Sequence, residues 1–190
     1  MDRRQRIANA GIALIARGGT HRLTHRAVDA EAGLPNGSTS YYARSRRDLI
    51  RLVMEQLSAK SQADLTDIEV PEKLTVQQAT DLVGRLAERL ILNGDAQAAR
   101  FALMFEVRDD DELRRELTVD APVRRSFDEK AVELLRALGV ADPEEKAPEF
   151  VALVDAVLMY RAVDAAPIDP AGVVGKYLTG LVRRKPTAAR

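Results

Sequence analysis

The stretch from Leu23 to Leu49 constrains the fold more strongly than any other part of the sequence. Thr24 is a residue type that caps helix N-termini, and Gly33 suits the position just after a helix end, where a positive φ is common. The proline two residues later prevents the helix from continuing. Asn36 is placed to cap a second, short helix from Gly37 to about Tyr42. Two helices joined by so tight a turn predict a helix-turn-helix.

The second helix of this motif is short and polar. Isolated helices of fewer than about 12 residues are marginal in water, so this one depends on the rest of the fold for its stability. A helix so rich in hydroxyl groups is suited to presenting side chains outward and not to filling a core. Its hydroxyl-bearing residues are Ser38, Thr39, Ser40, Tyr41 and Tyr42.

Charge is distributed unevenly along the chain, although the net charge is zero. Residues 1–50 contain nine arginines against four acidic residues, an excess of +5, together with both histidines, His21 and His25. The rest of the chain carries the opposite excess. A basic N-terminal quarter on an acidic body is typical of a protein with one nucleic-acid-binding face. The coincidence of this charge with the helix-turn-helix favours DNA binding over chance clustering.

The remaining sequence has helical periodicity throughout, and no segment alternates with the two-residue period of a strand. We therefore predict an all-α fold of about nine helices. Pro122 either kinks the seventh helix or, after Asp120 as a cap, starts a new one. Residues 186–190 are predicted to be disordered. The predicted helices span 3–16, 24–32, 37–42, 45–65, 75–92, 95–108, 109–138, 143–163 and 170–183.

Several classes of function lack their sequence signatures. No GxSxG or HExxH motif occurs, and cysteine is absent. Gly172–Lys176 is similar to the end of a phosphate-binding loop, but Pro170 and Tyr177 replace the required residues and no strand precedes it. We interpret it as part of a helix in which two glycines permit close packing. The acidic run Asp109–Glu112 is interpreted as the start of a helix. We expect no enzyme activity, cofactor or metal site.

The sequence also carries no signal for a membrane or for export. No run of about 18 apolar residues is present, and the N-terminus lacks the apolar segment of a signal peptide. The absence of cysteine fits a reducing compartment. We therefore expect a cytoplasmic protein.

These features together resemble the TetR family of bacterial transcriptional repressors. The resemblance implies a three-helix DNA-binding head over residues 1–48 and a helical effector-binding and dimerisation body over residues 49–190. It rests on the spacing of the first helix, on Thr24–Leu34, on Gly37-Ser38-x-x-Tyr41, on Ser45-Arg46-x-Asp48-Leu49, and on the length of the helical body.

In a helix-turn-helix the N-terminal half of the second helix enters the major groove. The resemblance therefore implies base contacts for Asn36, Gly37 and Ser38, with Arg26 bonded bidentately to a guanine. The resemblance assigns contacts to phosphate or sugar, which fix the register of the protein on DNA, to His25, Ser40, Tyr41, Tyr42 and Arg46. Packing within the head is an equal alternative for each tyrosine. The complete predicted DNA-binding set is His25, Arg26, Asn36, Gly37, Ser38, Thr39, Ser40, Tyr41, Tyr42 and Arg46.

The last two helices are the predicted dimer interface. Residues 150–163 are apolar on nearly every side, which indicates burial by a partner chain as well as by the chain's own core. The resemblance implies a homodimer that binds a palindromic operator in double-stranded DNA. Some of the interface residues are alternatively intramolecular core. The predicted set is Phe150, Val154, Val157, Leu158, Arg161, Val174, Tyr177, Leu178 and Leu181.

The resemblance also implies a pocket for a small-molecule effector among the middle helices. An apolar or amphipathic ligand is the default, and its binding would lower DNA affinity by favouring a different spacing of the two heads. Ordinary core packing is the alternative for each lining residue. The predicted lining is Leu86, Leu90, Phe101, Met104, Phe105, Phe127, Leu134 and Met159. A helical adaptor without specific DNA binding would explain the body but not the clustered arginines or the hydroxyl-rich helix.

Overall fold

A computed structural model describes residues 2–183, which form ten α-helices, one 3₁₀ turn at Thr20–Arg22 and no strand. The all-α prediction is confirmed, and the predicted disordered tail lies outside the described residues. No helix in this range is long and apolar enough to cross a membrane. The helices are α1 Arg3–Gly18, α2 His25–Glu31, α3 Ser38–Tyr42, α4 Arg46–Thr66, α5 Val76–Leu92, α6 Gly94–Glu106, α7 Asp111–Leu117, α8 Pro122–Ala137, α9 Pro143–Ala162 and α10 Pro170–Arg183.

Local capping explains most of the predicted helix starts. Thr24 accepts a hydrogen bond from the Ala27 amide at the start of α2. Ser45 and Asp48 form a reciprocal capping box at the start of α4, with bonds of 3.0 and 3.1 Å. Asp110 accepts from the Leu113 amide, so the acidic run does open α7. These bonds satisfy backbone N–H groups that have no partner within their own helix.

The proline in the seventh predicted helix marks a new start and not a kink. α7 ends at Leu117, and α8 begins with Pro122 at its first position. A proline is tolerated there because the N–H that it lacks would have no helical partner. The proposed cap, Asp120, is instead paired with Arg115 at 2.8 Å. This division accounts for the tenth helix.

The described residues divide into two compact units. The first comprises the residues up to Gln62 together with Asn93–Val123, and the second comprises Ala63–Leu92 together with the residues from Arg124. The predicted domain boundary after residue 48 lies inside α4. The core of the first unit includes Ile7, Ile15, Leu23, Val28, Ala43, Leu49, Val53, Leu57, Leu103 and Leu113.

The second unit is built around α5, α8, α9 and α10. Close approach of α10 to α5 depends on glycine, because a Cβ at Gly175 would lie 3.2 Å from the Thr80 hydroxyl oxygen. The Gly172–Lys176 segment is helical, as interpreted from the sequence, but only Gly175 permits close packing against another helix, since a Cβ at Gly172 would meet Asp169 just before α10. The core of this unit includes Ala79, Val83, Leu134, Leu135, Phe150, Val151, Val174 and Leu178.

Candidate nucleic-acid interface

α2 and α3 form the predicted helix-turn-helix in the first unit. Val28 on α2 and Ala43, the residue directly after α3, both have side chains that are fully buried in the core of the unit. The turn between the helices includes Gly33 with a φ of 62°, a left-handed conformation that glycine adopts without steric cost. This short turn holds α3 close to α2 and leaves one side of α3 in solvent.

The start of α3 differs from the prediction. Gly37, and not Asn36, occupies the N-cap position, with a φ of 91° and a ψ of −7°. No side chain at that position caps the helix. The prediction that Asn36 caps α3 is therefore wrong, and Asn36 is an exposed turn residue. A helix start needs acceptors for its free N–H groups, so they must come from elsewhere in the chain.

The acceptors come from Asp29 on α2. One carboxylate oxygen accepts from the Gly37 amide at 2.7 Å. The other accepts from the Thr39 amide at 2.7 Å and from the Thr39 hydroxyl at 2.6 Å. Asp29 is only 1% exposed. Burial alone would raise the pKa of this carboxyl, but the hydrogen bonds from Thr39 and Gly37 outweigh it and hold the pKa below 3.8.

Thr39 was predicted to contact DNA, and the structure contradicts this. Its side chain is 0% exposed, and its hydroxyl donates to Asp29. Thr39 faces inward because it lies on the side of α3 that packs toward α2. Its role is to hold the helix and not to contact a ligand.

The opposite side of α3 is open. Ser40 is exposed, and Tyr41 is 83% exposed. Tyr42 lies edge-on to Tyr41, with ring centroids 5.1 Å apart, and is itself exposed. Ser38 is half-buried, and its hydroxyl donates to the Pro35 carbonyl. Core packing therefore does not account for the two tyrosines, although each contacts the other.

His25 and Ala43 tie the start of α2 to the end of α3. Nε2 of His25 lies 2.7 Å from the Ala43 carbonyl oxygen. A carbonyl only accepts, so Nε2 carries the hydrogen and donates it. The histidine is half-buried, so this ring nitrogen is used inside the protein and only Nδ1 remains for an outside partner.

Arg46 is also used inside the first unit. Its guanidinium donates to the carbonyls of Leu23 and Thr20, at 2.7 and 3.0 Å, and to the Glu106 carboxylate at 2.8 Å. Glu106 accepts from the Thr20 hydroxyl as well. The bonds from Arg46 and Thr20 lower the pKa of Glu106. The predicted phosphate contact of Arg46 therefore competes with three acceptors in the protein.

The next two basic residues of α4 are neutralised by α7 and its cap. Arg47 makes a two-bond contact with Asp110, at 2.9 and 3.0 Å, and a third bond to Glu112. Arg51 makes a two-bond contact with Glu116, at 2.8 and 3.0 Å. The bonds from Arg47 lower the pKa of Asp110, and the bonds from Arg51 lower that of Glu116. Much of the N-terminal positive charge is thus balanced internally.

Four arginine side chains of the basic segment make no hydrogen bond or ion pair with any residue between 2 and 183. They are Arg3, Arg22, Arg26 and Arg44, and all four are exposed. Arg22 ends the 3₁₀ turn, Arg26 lies in the first turn of α2, and Arg44 directly follows α3 and Ala43. Of these four, the predicted DNA-binding set contains only Arg26. The others could not be recognised from spacing, because the free and the paired arginines look alike in sequence.

The predicted dimer residues divide by burial. Five are buried within the chain and are not available to a partner chain, which corrects the prediction for them: Phe150, Val157, Leu158, Val174 and Leu178. The other four, Val154, Arg161, Tyr177 and Leu181, are half-buried. Tyr177 stacks on Phe150 with ring centroids 5.9 Å apart. Three large apolar side chains are exposed in the same region. They are Tyr160 on α9, Val163 directly after α9, and Val182 on α10.

The predicted effector-lining residues fall in both units. Phe101, Met104 and Phe105 belong to the first, and Leu86, Leu90, Phe127, Leu134 and Met159 belong to the second. Phe105 is 70% exposed, so its assignment to a pocket lining is wrong. Leu134 is part of the core of the second unit. An open groove of about 690 Å³ lies between α5 and α10, bordered by Gln77, Asp81 and Lys176, and none of the predicted residues lines it.

Comparison with known proteins adds a family assignment to this geometry. The family model of the tetracyclin repressor-like C-terminal domain matches residues 74–184. No curated protein matches the sequence. A TetR-family member from Streptomyces coelicolor A3 is 25% identical, with a TM-score of 0.68 over 97% of this chain and 100% of that one.

Two further solved structures are similar over nearly the whole chain. The multidrug binding protein EbrR, complexed with ethidium, is 26% identical, with a TM-score of 0.64 over 96% of this chain and 100% of that chain. A transcriptional regulator from Rhodococcus sp. Rha1 shares the fold at 14% identity, with a TM-score of 0.77 over 96% and 97%. With the family model matching more than half of the sequence, the chain belongs to the TetR family of transcriptional regulators.

Proposed function

We propose that this protein is a transcriptional repressor that binds a palindromic operator as a homodimer in the cytoplasm and is released by a small-molecule effector. One observation carries the proposal. One side of α3 is open to solvent, and Arg22, Arg26 and Arg44, which lie in or next to the helix-turn-helix, have exposed side chains without a partner among the described residues. Exposed cations around a helix-turn-helix are suited to DNA phosphates, because each contact releases condensed counterions.

The proposed DNA contacts divide into two groups. Base edges are contacted by Arg26 and by the start of α3, namely Asn36, Gly37 and Ser38, because that part of the helix enters the major groove. Phosphate and sugar contacts come from the exposed residues around it. These are Ser40, Tyr41, Tyr42, Arg22 and Arg44, with a smaller contribution from the Nδ1 side of His25 and from Arg46.

A dimer is part of the proposal because one head contacts too few base pairs to be selective. A two-fold dimer places two recognition helices about 34–36 Å apart, or a multiple of that distance, on a palindrome. The accessible residues of α9 and α10 are the proposed interface. They are Val154, Arg161, Tyr177 and Leu181, joined by the exposed Tyr160, Val163 and Val182.

The effector is proposed to bind in the second unit, which the C-terminal family model covers. Leu86, Leu90, Phe127 and Met159 are the proposed lining. EbrR is described as a multidrug binding protein in complexes with imidazole and ethidium, which favours an apolar or amphipathic small molecule here. The effector must bind one state of the dimer more tightly than the other, since only differential affinity shifts the equilibrium.

Binding to DNA is the first test. Genomic fragments retrieved by the full-length protein are compared with shuffled fragments in a mobility-shift assay. The proposal predicts a retarded band that is selective for the retrieved fragments. A protein that retrieves no fragment above background would instead be a helical adaptor, and the proposal would be wrong.

Arg44 and Arg46 form a matched pair for the second test. Arg44→Ala removes a free cation, so we expect weaker binding to all sequences, a salt slope reduced by about 1, and unchanged stability. Arg46→Ala removes three internal hydrogen bonds, so its main effect is a lower midpoint of chemical unfolding. The reverse pattern would overturn the assignment of these two residues.

Arg26 and Tyr42 test the division between base and phosphate contacts. Arg26→Ala is expected to relax sequence preference, because a bidentate contact to guanine is lost. Tyr42→Phe is expected to weaken all sequences alike. Binding profiles over a random-sequence library distinguish the two outcomes, and exchange of the two profiles would contradict the proposed division.

A further inference from the structure

α3 has too little apolar surface to be held by packing. It spans Ser38–Tyr42, and Thr39 is the only one of its side chains that is buried. The backbone N–H groups at its start need acceptors, yet Gly37 has no side chain and Asn36 does not cap the helix. The orientation of α3 therefore depends on whichever group accepts from its first residues.

The accepting group is the Asp29 carboxylate, and it comes from the other helix of the motif. Asp29 lies eight residues before Gly37 and ten before Thr39. Its three bonds, each 2.6 or 2.7 Å, therefore cross the turn and join α2 to α3. Distances this short are typical of hydrogen bonds to an ionised acceptor.

We propose that Asp29 is the positioning residue of the DNA-reading helix, holding α3 through Gly37 and Thr39 so that sequence-specific binding depends on a side chain that does not touch DNA. The inference rests on the DNA-binding function proposed above. It assigns the specificity of the interface to a buried bond network as well as to the exposed contacts.

A carboxylate is the group that these donors require. All three donors need an acceptor, and an ionised carboxylate accepts at both oxygens. An asparagine at this position has one oxygen and one NH₂ group, so either Gly37 or Thr39 would face a donor. Water cannot replace the lost bond, because the site is only 1% exposed. Asp29→Asn therefore disturbs the orientation of α3 with little change in side-chain volume.

The expected consequence differs between specific and non-specific DNA. Base contacts come from the start of α3, which moves if Asp29 is changed. Arg22 and Arg44 lie outside α3, so their attraction to phosphate does not require its exact orientation. Loss of Asp29 should therefore lower the ratio of specific to non-specific affinity.

The experiment uses the full-length protein and two duplexes of equal length. One is the strongest binder retrieved by the wild type from a random-sequence library, and the other is its shuffled sequence. For Asp29→Asn we expect at least about tenfold weaker binding to the selected duplex, in line with the loss of a hydrogen bond to a charged group, and a change within about twofold on the shuffled one.

Thr39 supplies a second, milder pair of variants. Thr39→Val removes the hydroxyl donor and keeps the shape and the amide, so several-fold weaker binding to the selected duplex is expected. Thr39→Ser keeps the hydroxyl and is expected to restore binding. Asp48→Asn is the matched control, since it alters the carboxylate cap of α4 and not that of α3. Its ratio of specific to non-specific affinity should stay within about twofold of the wild type.

The outcomes separate this inference from the proposed function. A wild type that does not prefer any duplex overturns the proposed function. If the wild type discriminates and Asp29→Asn keeps the same ratio, or loses both duplexes equally, the positioning role is wrong. Should Asp29→Asn not fold, as judged by far-UV circular dichroism, the Thr39 pair decides. Equal affinity of Thr39→Val and Thr39→Ser for the selected duplex would then overturn the inference.

Discussion

α3 and α10 are held in their respective units by opposite means. α10 spans Pro170–Arg183 and buries Val174 and Leu178 in an apolar core. α3 spans Ser38–Tyr42, buries only Thr39, and is fixed by three hydrogen bonds to one carboxylate. α10 is stabilised by the apolar area that it removes from water, and α3 is stabilised by a few directional hydrogen bonds.

The difference follows from what each helix must expose. Burying an apolar stripe uses one side of a helix and is tolerant of small shifts, since the stabilisation grows with area and has no preferred direction. A helix of five residues that presents hydroxyl groups to solvent has no such stripe. It can be held only at its end, by bonds that also fix its angle. A fixed angle suits the role proposed for α3, which is to enter the major groove of DNA.

The largest expected effect is a core truncation in α10. Leu178 is fully buried, so Leu178→Ala should lower the free energy of unfolding by about 3 kcal/mol, measured by chemical denaturation. Lys176→Ala is the control on the same helix, at an exposed position outside the proposed interface, with an expected change below about 0.5 kcal/mol. Similar losses in the two variants would show that α10 is not held by its apolar stripe.

Removing the polar anchor of α3 should have the next largest effect. Asp29→Ala leaves the donors of Gly37 and Thr39 without their acceptor, and we expect a loss of about 2 kcal/mol at neutral pH. The pKa of Asp29 is lowered by folding, so its stabilisation is present above the unfolded pKa of 3.8 and is lost as the pH falls through the folded value.

The pH dependence gives this prediction its control. The difference in unfolding free energy between the wild type and Asp29→Ala should be constant above about pH 5 and should shrink as the pH falls below about 4. Asp110 and Glu116 also have lowered pKa values, but they titrate in both proteins and cancel in the difference. A difference that grows on acidification would contradict the role of the ionised carboxylate.

Two glycines of α10 test how closely that helix packs. Nothing lies within 4 Å of a Cβ added at Gly180, so Gly180→Ala should stabilise the protein by about 1 kcal/mol through helix propensity. The same change at Gly175 meets Thr80 at 3.2 Å and should lose that gain. Thermal unfolding measures both. An equal gain at both positions would show that the contact with α5 relaxes freely.

The smallest effect on stability is expected on the open side of α3. Tyr41→Phe removes an exposed hydroxyl and keeps the ring against Tyr42, so the unfolding free energy should change by less than about 0.5 kcal/mol. Affinity for DNA should nevertheless fall several-fold on all sequences. Unchanged affinity in a fluorescence anisotropy titration would remove Tyr41 from the proposed contacts.

The misassigned cap shows where prediction from sequence stops. The sequence favours Asn36 as the cap because capping is normally local, within three residues of the helix start. The actual acceptor, Asp29, sits in the middle of α2, and its bonds to Gly37 and Thr39 depend on how the turn folds back. The available signal was an acidic residue between apolar neighbours in the first helix of the motif, a position where burial needs a partner.

The arginines give the same lesson at longer range. Arg44, Arg46 and Arg47 lie within four positions of one another, yet of the three only the Arg44 side chain has no partner among residues 2–183. The acidic partner of Arg46 is 60 residues away, and the two acidic partners of Arg47 are 63 and 65 residues away. Charge counting therefore located the basic segment but could not identify the arginines available to DNA.

The features that could be predicted from sequence patterns are local ones. Helical periodicity, capping boxes, glycine and proline positions act over three or four residues, so the helices, the helix-turn-helix and the family resemblance followed from them. Which side chains face solvent depends instead on how the helices pack. Thr39 and Leu178 are buried, whereas Tyr41 and Arg44 are exposed. Those outcomes depend on residues far apart in the chain, because burial and pairing are properties of the packed helices and not of any one segment.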